Sequence, residues 1–297
     1  MLLKGLTAAT YTPMTETGEL NLKVIPSYVD YLLASGMNAM YVCGTTGEGV
    51  SLSVSERQAV VEAFLAASDG RLPVVVQVGA NSLAECCELA SHAWKTGASA
   101  ISATAPSYFK VGTEKMLVDF MAPLAAAAGE LPFYYYHIPA FTGAALDMIR
   151  FLQLAEERIP NLAGIKFTDT RAFEYQECLE WKAGKYEILW GCDEMLLSAL
   201  VLGAQGGIGS TYALIPHVYR QLWEAWSGGD LANARKYQAE SWQYVRWCNS
   251  FGAFHAVQKY LCTLLGFEMG PPRLPLPGLT EEQKKQIEEE FSRFLKR

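Results

Sequence analysis

A few short stretches of this sequence concentrate groups able to do chemistry. In Ala163-Gly-Ile-Lys-Phe-Thr-Asp-Thr170, Lys166 sits inside an apolar run that reads as a short buried strand. Burial penalises an ammonium, so a lysine held in low dielectric loses proton affinity. A neutral amine is a nucleophile, and with a carbonyl it makes a Schiff base. The alternative for such a lysine is an edge strand with its head in water. Gly44-Thr-Thr-Gly-Glu-Gly49 combines glycines, which let a backbone turn tightly, with the hydroxyls of Thr45 and Thr46. It reads as a pocket for a small carboxylate, as a phosphate loop without the usual lysine, or as a plain turn. In Tyr134-Tyr-Tyr-His-Ile-Pro139, alternation places Tyr134 and Tyr136 on one face and Tyr135 on the other. Either set suits a core, and one tyrosine at the strand tip suits proton transfer. A phenol with pKa near ~10 needs a charged neighbour for that task. His137 reads as a hydrogen-bonded structural residue. Thr168 shares the face of Lys166. Gly191-Cys-Asp-Glu194 offers paired acids, suited to helix N-caps or to holding sugar hydroxyls. Gly206-Gly-Ile-Gly-Ser-Thr211 is short on side chains and rich in backbone donors.

The elements around these stretches have to bring them together. Apolar, β-rich runs recur at Leu6–Tyr11, Asn38–Cys43, Pro73–Val78, Ala98–Ala103, Pro132–Tyr136, Leu162–Phe167, Glu187–Trp190 and Gly206–Ser210, and a helical period follows each. Ser53-Val-Ser-Glu56 and Ser82-Leu-Ala-Glu85 are capping boxes. Pro26 suits a first helical turn, and Gly36, Gly97 and Gly203 suit left-handed helix ends. Eight strands alternating with helices predict an α/β fold, a closed (β/α)8 TIM barrel. A doubly wound sheet would carry a glycine-rich phosphate loop after its first strand; this chain has Thr12-Pro-Met there. Leu214–Ser227, Asp230–Trp247, Phe251–Leu265 and a final helix capped at Thr280 form a C-terminal helical extension. The division is 1–212 for the barrel and 213–297 for helices packed on it, as one structural unit. The aromatic content of 223–247 reads as packing between extension and barrel. Active sites of such barrels lie at the carboxyl ends of the strands. A lysine, a tyrosine and a carboxylate pocket at neighbouring strand ends suit an aldolase that works through an imine, without a metal.

Composition narrows the partners. The chain has 297 residues, 51% apolar and 19% charged, with net charge −7. An acidic balance without a basic run argues against nucleic acid. Seven cysteines without a C-x-x-C pair read as reduced core thiols of a cytoplasmic protein. Four scattered histidines offer no metal motif. No stretch reaches the length and apolarity of a membrane span, and the start leaves no room for a signal peptide.

Taken in order, G-T-T-G-E-G, Y-Y-Y-H-I-P, G-I-K-F-T-D-T and G-I-G-S-T-Y resemble the dihydrodipicolinate synthase and N-acetylneuraminate lyase superfamily of pyruvate-dependent class I aldolases, over essentially the whole chain. Y-Y-Y-H-I-P, K-F-T-D-T and G-P-P-R-L-P-L are similar to its N-acetylneuraminate lyase branch. The resemblance implies a Schiff base between Lys166 and pyruvate or the open-chain sugar acid, with no cofactor. It implies Tyr136 as proton donor and acceptor, and Thr45 and Thr46 on the carboxylate. It implies Thr168, Gly191, Asp193, Glu194 and Ser210 along the sugar chain. Tyr108 matches a tyrosine that members lend across a subunit contact, and the usual assembly is a homotetramer. Many relatives have Asn at the position of His137, a change the vertebrate-type lyases share. The synthase branch holds a second carboxylate with an arginine shortly after this motif; Ala140-Phe-Thr142 offers none. The implied reaction is reversible cleavage of N-acetylneuraminate to N-acetylmannosamine and pyruvate. The alternatives are a 2-keto-3-deoxy sugar acid aldolase, for which Glu194 is the discriminating residue, and a non-catalytic sugar-acid binder.

Overall fold

All eight apolar runs form strands: β1 (Gly5–Ala9), β2 (Ala39–Val42), β3 (Val74–Gln77), β4 (Ala100–Thr104), β5 (Phe133–His137), β6 (Leu162–Phe167), β7 (Glu187–Trp190) and β8 (Gly206–Gly209). They pair in parallel in that order and close β8 onto β1 in a (β/α)8 barrel. The structure is a computed structural model of the chain and describes residues 3–295. The connecting helices are α1 (Ile25–Ala34), α2 (Val54–Ser68), α3 (Leu83–Lys95), α4 (Glu114–Ala127), the single turn α5 (Pro139–Thr142), α6 (Met148–Arg158), α7 (Ala172–Glu180) and α8 (Leu196–Val201). They are followed by α9 (Pro216–Ser227), α10 (Leu231–Ser250), α11 (Phe254–Leu264) and α12 (Glu281–Leu295).

Local signals set the helix ends. Ser53 and Glu56 make the full reciprocal capping box of α2, and Ser82 accepts from the Glu85 N–H at α3. Pro26 lies in the first turn of α1. Gly36, Gly97 and Gly203 all have positive φ. The main core fills the space between strands and helices. It runs without a break into the C-terminal helices through Tyr244, Val257, Ile287 and Phe291.

One irregularity decides which side chains meet. In the β5–β6 ladder Phe133 pairs with Leu162 but Tyr134 pairs with Gly164, so Ala163 is an extra residue on β6. Beyond it, Tyr136 pairs with Lys166. Without the bulge Tyr136 would lie opposite Ile165, whose side chain points to the outer core. The face of each tyrosine, open in the sequence, is settled here. Tyr134 and Tyr136 belong to the cluster inside the barrel. Tyr135 points outward, its ring centroid 4.8 Å from that of Phe151.

Candidate active site

A cavity of about 290 Å³ opens where β1, β5, β6, β7 and β8 end, bounded also by the loop after β2. Lys166 lies in its wall and is only 4% exposed. Its Nζ stands 3.8 Å from the ring centroid of Tyr136 and 4.1 Å from that of Tyr41. Those two rings meet edge to face, with centroids 5.8 Å apart. The amine thus rests on aromatic faces inside the barrel. Tyr41 Oη donates to Ser102 Oγ at 3.0 Å. Burial, and then the nearby Tyr136, pushes the Tyr41 phenol well above its usual range, so it stays protonated and serves as packing.

The 44–49 loop supplies hydroxyls to the same cavity. Thr45 and Thr46 both line it, and Thr45 Oγ1 is 3.4 Å from Tyr136 Oη. The glycines act differently from what the sequence implied. The left-handed residues of this turn are Cys43 and Glu48. Gly49 is required by close approach: a Cβ there would lie 1.9 Å from the Cys43 carbonyl oxygen. Thr12 Oγ1 donates to the Gly47 carbonyl at 2.7 Å, and the Glu48 N–H donates to the Thr45 carbonyl at 3.1 Å.

Across the cavity stand Thr168, Gly191, Asp193, Glu194 and Ser210. The Thr168 hydroxyl is buried and, among the described residues, without a hydrogen-bond partner. Among protein groups it is thus uncommitted and free to make a hydrogen bond in the cavity. Gly191 makes room for it, since a Cβ there would lie 1.9 Å from Thr168 Oγ1. Asp193 Oδ2 accepts from the Thr211 N–H at 2.8 Å and from Thr211 Oγ1 at 2.6 Å. Burial lifts Asp193 to about 6, against the opposing pull of those two donors. Glu194 is exposed at the rim.

Nine of the ten residues singled out in the sequence line this one cavity. The exception is Tyr108. It is 77% exposed beside the exposed Phe109, on the loop after β4, where Asn81 Oδ1 accepts from the Ser107 and Tyr108 N–H groups. Four residues reach the cavity from the C-terminal helices with no motif in the sequence to mark them: Val245 and Asn249 of α10, Phe254 and His255 of α11. That extension forms part of the wall as well as packing on the barrel. Tyr41 and Tyr11 were also missed. The inward position of Tyr41 on β2 follows from strand alternation, whereas Tyr11 lies past the end of β1 and reaches the cavity rim from the outer core.

His137 lies outside the cavity, between the barrel and its helices. Arg171 Nη2 donates to its Nε2 at 3.3 Å, while Asp169 Oδ2 at 3.6 Å is beyond hydrogen-bonding reach. Burial pulls its pKa down to about 4, with Asp169 opposing and Arg171 assisting. Ligand atoms of His137, Asp169 and Glu174 lie within 4.8 Å of one another. The guanidinium of Arg171 already fills the space between them, 2.9 Å from Asp169 and 3.0 Å from Glu174.

Fold and cavity define the class: a (β/α)8 barrel whose cavity, at the carboxyl ends of the strands, brings an amine and a phenol together. Comparison with known proteins agrees. The sequence matches the dihydrodipicolinate synthetase family over residues 2–293. It is 44% identical over 284 residues to N-acetylneuraminate lyase of Rattus norvegicus, covering 94% of this chain and 89% of that one. The Homo sapiens N-acetylneuraminate lyase is 43% identical over the same shares. The structure matches Proteus mirabilis N-acetylneuraminate lyase with a TM-score of 0.96 at 37% identity, over 99% of both chains. The chain belongs to the dihydrodipicolinate synthetase family.

Proposed function

We propose that this protein is a class I aldolase that cleaves N-acetylneuraminate reversibly to N-acetylmannosamine and pyruvate. The observation that carries the reading is the facing pair at the β5–β6 seam, Tyr136 opposite Lys166, with the amine 3.8 Å from the phenol ring centroid and both in the cavity wall. The lyases of rat and human to which the chain is similar support the choice of substrate.

The Lys166 amine attacks the C2 carbonyl of the open-chain sugar acid, and loss of water leaves a protonated imine. A base takes the proton of the C4 hydroxyl. The C3–C4 bond breaks, the aldehyde departs as N-acetylmannosamine, and the bonding pair moves into the imine to give an enamine. Protonation at C3 and hydrolysis then release pyruvate and restore the amine. Tyr136, beside both the amine and the Thr45 hydroxyl, is the group that moves these protons. Thr45 and Thr46 hold the C1 carboxylate. Thr168, Asp193, Glu194 and Ser210 take the hydroxyls of the sugar chain, with Gly191 giving clearance. The electron sink is the imine itself, so the reaction needs neither a metal nor an organic cofactor.

In this reading the protein acts on a small sugar acid in the cytoplasm as a homotetramer, with Tyr108 reaching the site of a neighbouring subunit. The exposure of Tyr108 and Phe109 supports that placement, and among the described residues no helix is long and apolar enough to cross a membrane. The barrel, 1–212, and the helices of 213–297 act as one unit.

Borohydride added with pyruvate is expected to fix one reduced adduct on Lys166, read by peptide mass spectrometry. Lys166→Ala is expected to abolish both adduct and turnover. Tyr136→Phe is expected to keep the adduct and slow turnover by roughly a hundredfold or more. Full turnover by Lys166→Ala would end the proposal. Faster turnover on a 2-keto-3-deoxy sugar acid than on N-acetylneuraminate would move the substrate to that class.

A further inference from the structure

We propose that His255 is a positioning residue for this reaction. From the first turn of α11 it fixes the Thr45 carbonyl and so aims the hydroxyls of Thr45 and Thr46 at the carboxylate of the bound 2-oxo acid; the assignment rests on the function proposed above. His255 Nε2 lies 3.1 Å from the Thr45 carbonyl oxygen. A carbonyl only accepts, so Nε2 carries the hydrogen. The same oxygen takes the Glu48 N–H at 3.1 Å, which closes the turn, so both of its lone pairs are committed. Thr45 Oγ1 in turn is 3.4 Å from Tyr136 Oη. A shift of the Thr45 backbone therefore moves the anion donors and their contact with the phenol together.

The rest of α11 makes the hold rigid. Lys259 comes four residues after His255, on the same helix face. Its Nζ pairs with Glu48 Oε1 at 2.9 Å, and both side chains are fully buried. One helix thus grips the hexapeptide at Thr45 and again at Glu48. Between them Gln258 accepts from Tyr11 Oη at 2.9 Å, and Tyr11 also lines the cavity. Lys259 and Gln258 are sealed in the core. His255 is the half-buried member that meets the cavity, so its removal acts on the loop with little lost packing.

The test is steady-state kinetics in the condensation direction, with KM measured separately for pyruvate and for N-acetylmannosamine. His255→Leu is expected to raise the pyruvate KM about five- to tenfold while the N-acetylmannosamine KM stays within about twofold, since one buried acceptor loses its donor. His255→Gln places an amide N–H near the Nε2 position and is expected to restore the pyruvate KM; His255→Asn falls short and is not. If His255→Leu fails to fold, the contrast between Gln and Asn carries the test. An unchanged pyruvate KM, a parallel rise in both KM values, or equal behaviour of Gln and Asn overturns the assignment. Wild-type protein that forms no pyruvate adduct on Lys166 overturns the function itself, and this inference with it.

Discussion

Two buried side chains carry opposite pH signatures. Asp193 is held at about 6, above its usual 3.8, because burial outweighs the donors of Thr211. The folded chain binds that proton more tightly than the unfolded chain, so stability falls as pH rises through this window. The cost is absent below about 4, complete above about 6, and on the order of 3 kcal/mol. His137 runs the other way. Burial holds it at about 4, below the ordinary 6.5. Its contribution is complete above about 6.5 and is lost as pH falls towards 4, again on the order of 3 kcal/mol. Between pH 4 and 6 the two offset, so single variants are needed to expose either. Asp193→Asn is expected to gain melting temperature relative to wild type as pH rises from 4 to 7, by calorimetry. His137→Asn is expected to lose relative stability over the same rise. A difference that does not vary with pH in either variant contradicts its assignment. Asp193→Asn should also raise the KM for the sugar acid, because an amide is a weaker acceptor for a hydroxyl.

At the scale of elements, the strands were legible because each is a short apolar run bounded by turns, and the helices because capping and period agreed. The identity of Lys166 was legible for the same reason: a cation inside such a run stands out. Its facing partner, Tyr136, was implied by the family resemblance and not by the strand pattern, since the pairing depends on a bulge. Nothing local to Ala163 marks it as the extra residue; the pairing with β5 does. Gly164, next to it, lies against β7 so closely that a Cβ would be 1.8 Å from the Glu187 carbonyl oxygen. That contact is with backbone and cannot swing aside. Gly164→Ala is expected to cost about 3 kcal/mol or more in urea unfolding and to lose the pyruvate adduct in the fraction that still folds. Wild-type stability with an intact adduct would show that β6 tolerates a shift and that the bulge does not set the Tyr136–Lys166 pairing.

The site of the whole molecule draws on both ends of the chain, and this was the part least legible in the sequence. His255 and Asn249 sit on amphipathic helices with ordinary patterns, and only tertiary docking brings them to the barrel mouth. Lys259 did leave a signal. It falls among Ala256, Val257 and Cys262 on the buried face of α11, where the helical period calls for an apolar residue. It is as deeply buried as any lysine described, yet its pairing with Glu48 makes it an anchor. Breaking that pair leaves a charge stranded in the core. Glu48→Gln is expected to cost about 3–5 kcal/mol, and adding Lys259→Met to recover most of it, by chemical unfolding. Equal stability of Glu48→Gln and wild type would mean the pair contributes no net stability.

The tie between Glu48 and Lys259 spans 211 positions of sequence. During synthesis every strand of the barrel leaves the ribosome before the cation that neutralises Glu48 has been made. A nascent chain halted short of α11 is therefore expected to hold Lys166 and Tyr136 yet fail to retain pyruvate. Pyruvate retention is then expected only once α11 has docked, closing a C-terminal helix onto a loop translated near the start of the chain.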